Sequence, residues 1–140
     1  IKVGGAVLME NKIYYISSKE MADIKKALEE DGSLYVAEIN GSDIQQLQDF
    51  LDAMSGKFSF PFPSRSLDSY NDWMRDLDWL NKDGYALIIY NYKSFLNQDL
   101  LFRKAVINGF NELILPWWKG EVEQCVVDGK AKPFNVYLID

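Results

Sequence analysis

Three aspartates, Asp68, Asp72 and Asp76, follow one another at four-residue intervals within LDSYNDWMRDLDWL. On a helix, steps of about 100° per residue let such positions drift by only about 40° each, so all three line one face. Like charges at that spacing cost each pair roughly 0.2 to 0.5 kcal/mol, and only Asp68, in the first turn, gains from the helix dipole. Asp72 and Asp76 are therefore not placed there for helix stability. Carboxylates in such a row can hold a hard cation, work as an acid and base pair, or meet the Arg and Lys of a basic partner. Arg75 can relieve Asp72 from the i+3 position, so an acidic solvated face without further use is the plain alternative. Trp79 falls on the same side of the helical wheel, where a large aromatic beside charges fits a contact surface; otherwise it packs beneath the Lys82 loop.

The remaining composition narrows the chemistry. The 140 residues contain no histidine, which removes the commonest general base and the commonest zinc ligand. No Gly-rich phosphate motif accompanies the carboxylates, so an enzyme built on Asp68 and Asp72, or on Mg²⁺ held by them, is the weakest of three readings. Neither a cofactor nor a metal is expected. A formal charge of −6 disfavours direct binding to nucleic acid, since a phosphate backbone is gripped by clustered Lys and Arg, and it suits a basic protein partner instead. Cys125 is the only cysteine, so no internal disulfide can form; a core position and a reducing compartment, the cytoplasm, are expected for it. With no apolar run of membrane-spanning length, no membrane association is expected.

One α/β domain is the natural reading of the elements that must carry this face. Residues 2 to 9 and 12 to 17 read as strands of a hairpin around Glu10-Asn11. Ser18 precedes a helix with Met21, Ile24 and Leu28 at helical spacing, stopping near Gly32. LYVAEIN (34–40) is a strand, and Ser42 is placed to cap a helix with Ile44, Leu47, Leu51 and Met54 on one stripe, ended by Gly56. The Pro-bearing SFPFPSRS is a loop, and Ser66 caps a helix from Leu67 to Leu80. YALIIYNY (85–92) is almost unbroken in its apolar character, as expected of a central strand covered on both faces. A helix over residues 98 to 115 is expected to end at Pro116. From Trp117 to Pro133 the pattern allows a short strand at Val126-Val127 or an excursion, with Trp117-Trp118 anchoring a loop to the core in preference to marking a ligand site. FNVYLID closes the chain as a strand. Helices between successive β runs predict a small parallel sheet.

With those residues in place, the chain resembles the barstar family of bacterial inhibitors of the ribonuclease barnase. AEINGSDI matches the family's A-V-I-N-G-x-x-I opening from strand to helix, and LDSYNDWMRDLDWL stands where the family has L-D-A-L-W-D-C-L. The resemblance covers residues 34 to 140 and is tightest over 34 to 92. It implies a three-stranded parallel sheet with packed helices over 34–140, to which residues 1–33 add a hairpin and helix extension. It also implies that the acidic helix face blocks the active site of a basic ribonuclease by imitating substrate phosphates, as a monomer in a 1:1 complex. Asp68 and Asp72 match the family's two inhibitory helix aspartates, and Asp72 takes the position implied to fill the phosphate site.

Departures from the family pattern are local. Phe62 stands near a contacting Tyr, Asn71 replaces a Trp, Arg65 replaces a Glu, and Glu112 in GFNEL corresponds to a further acidic contact. The expected contact set is therefore Asp68, Asp72, Asp76, Asn71, Phe62, Trp79 and Glu112. A domain of this family turned toward a basic partner that is not a ribonuclease is the alternative, with the same fold and the same face.

Overall fold

The computed structural model describes residues 2–3, 6–7 and 9–140. Four strands form the central sheet: β3 (Ile13–Ile16), β4 (Leu34–Asn40), β5 (Gly84–Tyr90) and β6 (Phe134–Ile139), in the order β3-β6-β5-β4 and all parallel. Two short strands, β1 (Lys2–Val3) and β2 (Ala6–Val7), pair antiparallel with each other. Side-chain alternation sorts the sheet into two apolar layers. Ala37, Ile39, Leu87, Ile89, Val136 and Leu138 face α2 (Leu47–Lys57), α3 (Leu67–Met74) and α4 (Leu100–Gly109). On the other face Tyr14, Ala86, Ile88 and Tyr137 meet Met21, Ile24 and Leu28 of α1 (Ser18–Glu30). Covering both faces explains why β6 is buried throughout and β5 is buried up to Ile89, as the unbroken apolar run of β5 requires.

The α/β architecture is the expected one, and the sheet is one strand wider than expected. Ile13–Ile16 does not return as a hairpin on residues 2 to 9, of which 4, 5 and 8 lie outside the described residues; it pairs parallel with β6, Ile13 opposite Val136. Asn11 decides this. It takes a left-handed conformation (φ 55°), and its side chain donates to the Lys132 carbonyl (3.0 Å) and accepts from Phe134 N–H (3.1 Å), fastening the chain to the start of β6. Across the sheet, Glu38 of β4 accepts from the Tyr90 hydroxyl at 2.8 Å and pairs with Lys25 of α1 at 2.9 Å. Burial alone would raise the Glu38 carboxyl, but the bonds from Lys25 and Tyr90 outweigh it and hold it below the usual carboxylate range.

Further expectations are corrected or decided. Ser17, not Ser18, caps α1, accepting from Glu20 N–H. Ser42 does not cap α2: a single turn over Gly41–Asp43 intervenes, and α2 starts at Leu47, where the Asp49 carboxylate accepts from the Gln45 and Gln46 N–H groups. Pro116 does not end its helix. Beyond α4 the run continues through wide turns over Phe110–Ile114 and Trp117–Glu121 to Cys125. The bond from Leu115 N–H to the Phe110 carbonyl spans five residues, so the backbone there is already wider than an α-helix and accommodates a ring without an N–H. Val126-Val127 form no strand, and Cys125 is exposed at the end of this run, not in the core.

Candidate partner-binding face

Ser66 opens α3 by accepting from Ser69 N–H at 3.2 Å, and the buried Ser64 ties the preceding loop down through Ser55 Oγ (3.1 Å) and Ser69 Oγ (3.2 Å). Tyr70 and Met74 then anchor the inner side of the helix, which leaves the aspartates outward. Asp68 is exposed in the first turn, where the helix dipole favours it. The Asp72 side chain is 76% exposed and accepts from Arg75 Nη2 at 2.8 Å.

The helix ends six residues sooner than the apolar pattern suggests. Arg75 N–H and Asp76 N–H bond only three residues back, to Asp72 and Trp73, and Leu77 turns left-handed at φ 58°. Such a conformation costs a non-glycine residue about 1 kcal/mol, which complete burial of the Leu77 side chain offsets. Asp76 consequently leaves the helical face but not the site: with Ser69, Asp72 and Trp73 it lines an open hollow of about 340 Å³.

Trp79 is corrected more thoroughly. Lying beyond the helix end, it does not stand on the aspartate face; its indole N–H donates to the Phe58 carbonyl at 2.8 Å, and its ring packs edge-on against Trp73 (5.4 Å) and Phe60 (6.2 Å). The aromatic that lines the hollow with the aspartates is instead Trp73, which the expected contact set does not include. Its signal was a position three residues before Asp76, a spacing at which helical side chains are neighbours.

The other expected contacts are dispersed. Phe62 projects between Pro61 and Pro63 and is 71% exposed. Asn71 is half-buried and sets its amide oxygen toward Gly109 of α4, unpaired among the described residues. Glu112 is exposed on the continuation of α4; no hydrogen bond or ion pair among the described residues joins it to the aspartates. That continuation braces the site from below. Trp118 donates its indole N–H to the Met74 carbonyl at 2.8 Å, and Arg75 lies over the Trp117 ring at 5.8 Å. No group of three or more Cys, Asp or Glu among the described residues is arranged to hold a metal ion, and none of their helices is long and apolar enough to cross a membrane.

Fold and face together define an α/β protein with a parallel sheet that presents carboxylates from a short helix. The family model described as Barstar (barnase inhibitor) matches residues 34–137, well over half of the chain, and the chain belongs to that family. Among solved structures it is similar to the Aeropyrum pernix ORC2 protein (ADPNP-ADP complexes), with a TM-score of 0.55 and 14% identity over 97% of this chain and 36% of that one. At that identity the likeness concerns the fold alone, and this chain spans about a third of the other's length. No curated protein sequence matches the chain.

Proposed function

We propose that the protein inhibits a basic ribonuclease by laying the α3 face in its active-site cleft, one inhibitor to one enzyme. The observation that carries this reading is the hollow in which Asp72 and Asp76 flank Trp73, at the end of the helix that the matched family region contains. Arginine and lysine side chains that bind RNA phosphates accept carboxylates with the same geometry, so the aspartates compete directly with substrate. Trp73 supplies an amphipathic wall against which a base-binding residue of the enzyme can pack. Complementary charge makes the association fast and sensitive to salt. Phe62, Asp68 and Glu112 do not line the hollow, and their part is to steer approach more than to hold the complex.

The test is cleavage of a fluorogenic RNA by a panel of small basic guanyl-type ribonucleases, with wild type and Asp72→Ala compared. Near-stoichiometric inhibition by wild type, weakened on the order of 30-fold or more by Asp72→Ala, is expected from truncating one member of a desolvated charge pair. Full ribonuclease activity across the panel would remove the ribonuclease from the reading and leave the acidic face to a different basic protein.

A further inference from the structure

The two edges of the sheet differ. β3 closes one side with four residues, whereas β4 runs seven, from Leu34 to Asn40, along the other. A parallel strand bonds each neighbour through about half of its backbone groups, so the groups of β4 that point away from β5 form a second row. Among the described residues, no hydrogen bond other than those of the β4–β5 pair reaches the backbone of residues 35–39. Exposed edges are commonly blunted by Pro, Lys, a bulge or an unpaired charge. LYVAEIN has neither Pro nor Lys, and its register against β5 advances without a break from Leu34 to Asn40. Its one charge, Glu38, is already taken by Lys25 and the Tyr90 hydroxyl.

Beside that edge lies an open cleft of about 410 Å³, lined by Glu38 and Ile39 of β4 and by Asp49, Ala53 and Lys57 of α2. The helix runs back along the strand. Its last residue, Lys57, accepts from the Tyr35 hydroxyl through its carbonyl oxygen, near the start of β4. Asp49 stands two turns of helix away, about 12 Å, toward the end of β4, where Asp43 also lines the cleft. The cleft is therefore cationic at one end and anionic at the other. None of Asp43, Asp49 and Lys57 forms an ion pair among the described residues.

We propose that β4 pairs antiparallel with β4 of a second copy across a two-fold axis, so that two four-stranded sheets join into one of eight. A two-fold contact must be self-complementary, and this edge is. With Ala37 on the axis, Tyr35 falls opposite Ile39 of the second copy, and the two α2 helices lie antiparallel on the same face of the joined sheet. Centred on Ala53, they set Asp49 of each against Lys57 of the other, because both charges stand four residues from the alanine. The small Ala53 side chain lets the helices approach there. An extended peptide of another protein would satisfy the strand edge but would leave this matching of charges without a role, which favours a second copy. The dimer departs from the monomer that the family resemblance implies. Its contact uses none of the residues lining the Asp72 hollow, so each copy keeps its α3 face and one inhibitor per enzyme still holds.

The test is sedimentation equilibrium of the whole chain over a range of concentrations, with backbone amide exchange of residues 35–39 followed at the low and high ends. Expected is a reversible dimer, weakened by salt, in which exchange at 35–39 slows as the dimer forms. Lys57→Glu sets like charges together at two symmetric places and should raise the dissociation constant on the order of tenfold or more, whereas Lys57→Arg should leave it unchanged. Lys57 is exposed, so both variants should melt within a few degrees of wild type and inhibit a susceptible ribonuclease as wild type does. A chain that stays monomeric at every concentration overturns the proposal. So does a dimer that Lys57→Glu leaves intact, or one in which 35–39 exchange as freely as in the monomer; either places the contact elsewhere, on β3 or on the exposed Leu100 and Leu101 of α4. Slowing of 35–39 only when a basic ribonuclease is added assigns the edge to the enzyme and overturns the second copy.

Discussion

Arg75 opposes the proposed activity while supporting the fold, and Arg75→Gln separates these effects. In the free protein the guanidinium holds Asp72 at 2.8 Å, donates from Nε to the Asn71 carbonyl at 3.2 Å, and lies over Trp117 at 5.8 Å. A cation from the enzyme must take Asp72 from this neighbour. With the Asp72 side chain 76% exposed and that of Arg75 31% exposed, the pair falls in the surface class, about 0.2 to 1 kcal/mol. Removing it should tighten inhibition about 1.4- to 5-fold, since 1.4 kcal/mol is a factor of ten. The same change removes the pair and a cation–π contact from the folded state, together about 1 kcal/mol. At roughly 2.1 cal/mol/K of unfolding entropy per residue, that lowers Tm by about 3 to 4 °C for a chain of 140 residues. Affinity and stability therefore move in opposite directions. The assay is the inhibition constant against a ribonuclease that wild type blocks, alongside calorimetric Tm, with the substitution repeated in an Asp72→Ala background. Weaker inhibition by Arg75→Gln, or a gain that persists undiminished without Asp72, would refute the competition argument.

Two predictions need no partner. Gly41, at the end of β4, lies so close to the turn after β5 that an added Cβ would meet the Asn91 carbonyl oxygen at 2.4 Å and that of Tyr90 at 2.9 Å; Gly41→Ala should lower stability by about 1 to 3 kcal/mol in urea titration, whereas Gly32→Ala, with nothing within 4 Å, should stay within about 0.5 kcal/mol of wild type. Glu38 has a folded pKa below its unfolded value, so its contribution is complete above the ordinary carboxylate range and is lost as pH falls through the lowered one. The Tm difference between wild type and Glu38→Gln should accordingly be largest near neutral pH and vanish in acid, and a difference constant from pH 7 to pH 3 would contradict it.

Residues whose structure is decided locally were legible in the sequence. The apolar run of β5, the stripe of Met21, Ile24 and Leu28, the Ser66 cap and the four-residue spacing of Asp68 and Asp72 each reflect a local period or a single capping bond, and each is present. Tertiary choices were not. Ile13–Ile16 looks like half of a hairpin because its true partner, β6, is more than a hundred residues away, and contacts over that separation, the Asn11 side chain among them, select it. The apolar spacing of Leu77 and Leu80 imitates a continuing helix, although Leu77 is buried where the backbone turns left-handed. Widened turns around Pro116 depend on the fit of Phe110 and Ile114 beneath α3 and have no short-range signature. Cys125 was placed inside on composition alone, yet the wide turns bring it to an exposed end.

That early stop of α3 is what makes the candidate site more than an acidic helix. Had the helix run to Leu80, Asp68, Asp72 and Asp76 would have formed a convex stripe, with like charges repelling along it and each facing solvent separately. Because the chain turns at Leu77, Asp76 instead closes a concave hollow with Asp72 around Trp73. Concavity matters for electrostatics, since carboxylates around a depression with aromatic walls focus their field on an inserted cation and shed less of it to water. Their mutual repulsion then becomes a reason to bind: a partner cation relieves several unfavourable pairs at once, and the free protein must sustain them through the buried Leu77 and the Phe60-Trp73-Trp79 cluster. Aromatic packing behind the turn and carboxylates in front of it are thus one device, in which the first holds the second in an arrangement that electrostatics alone would disperse.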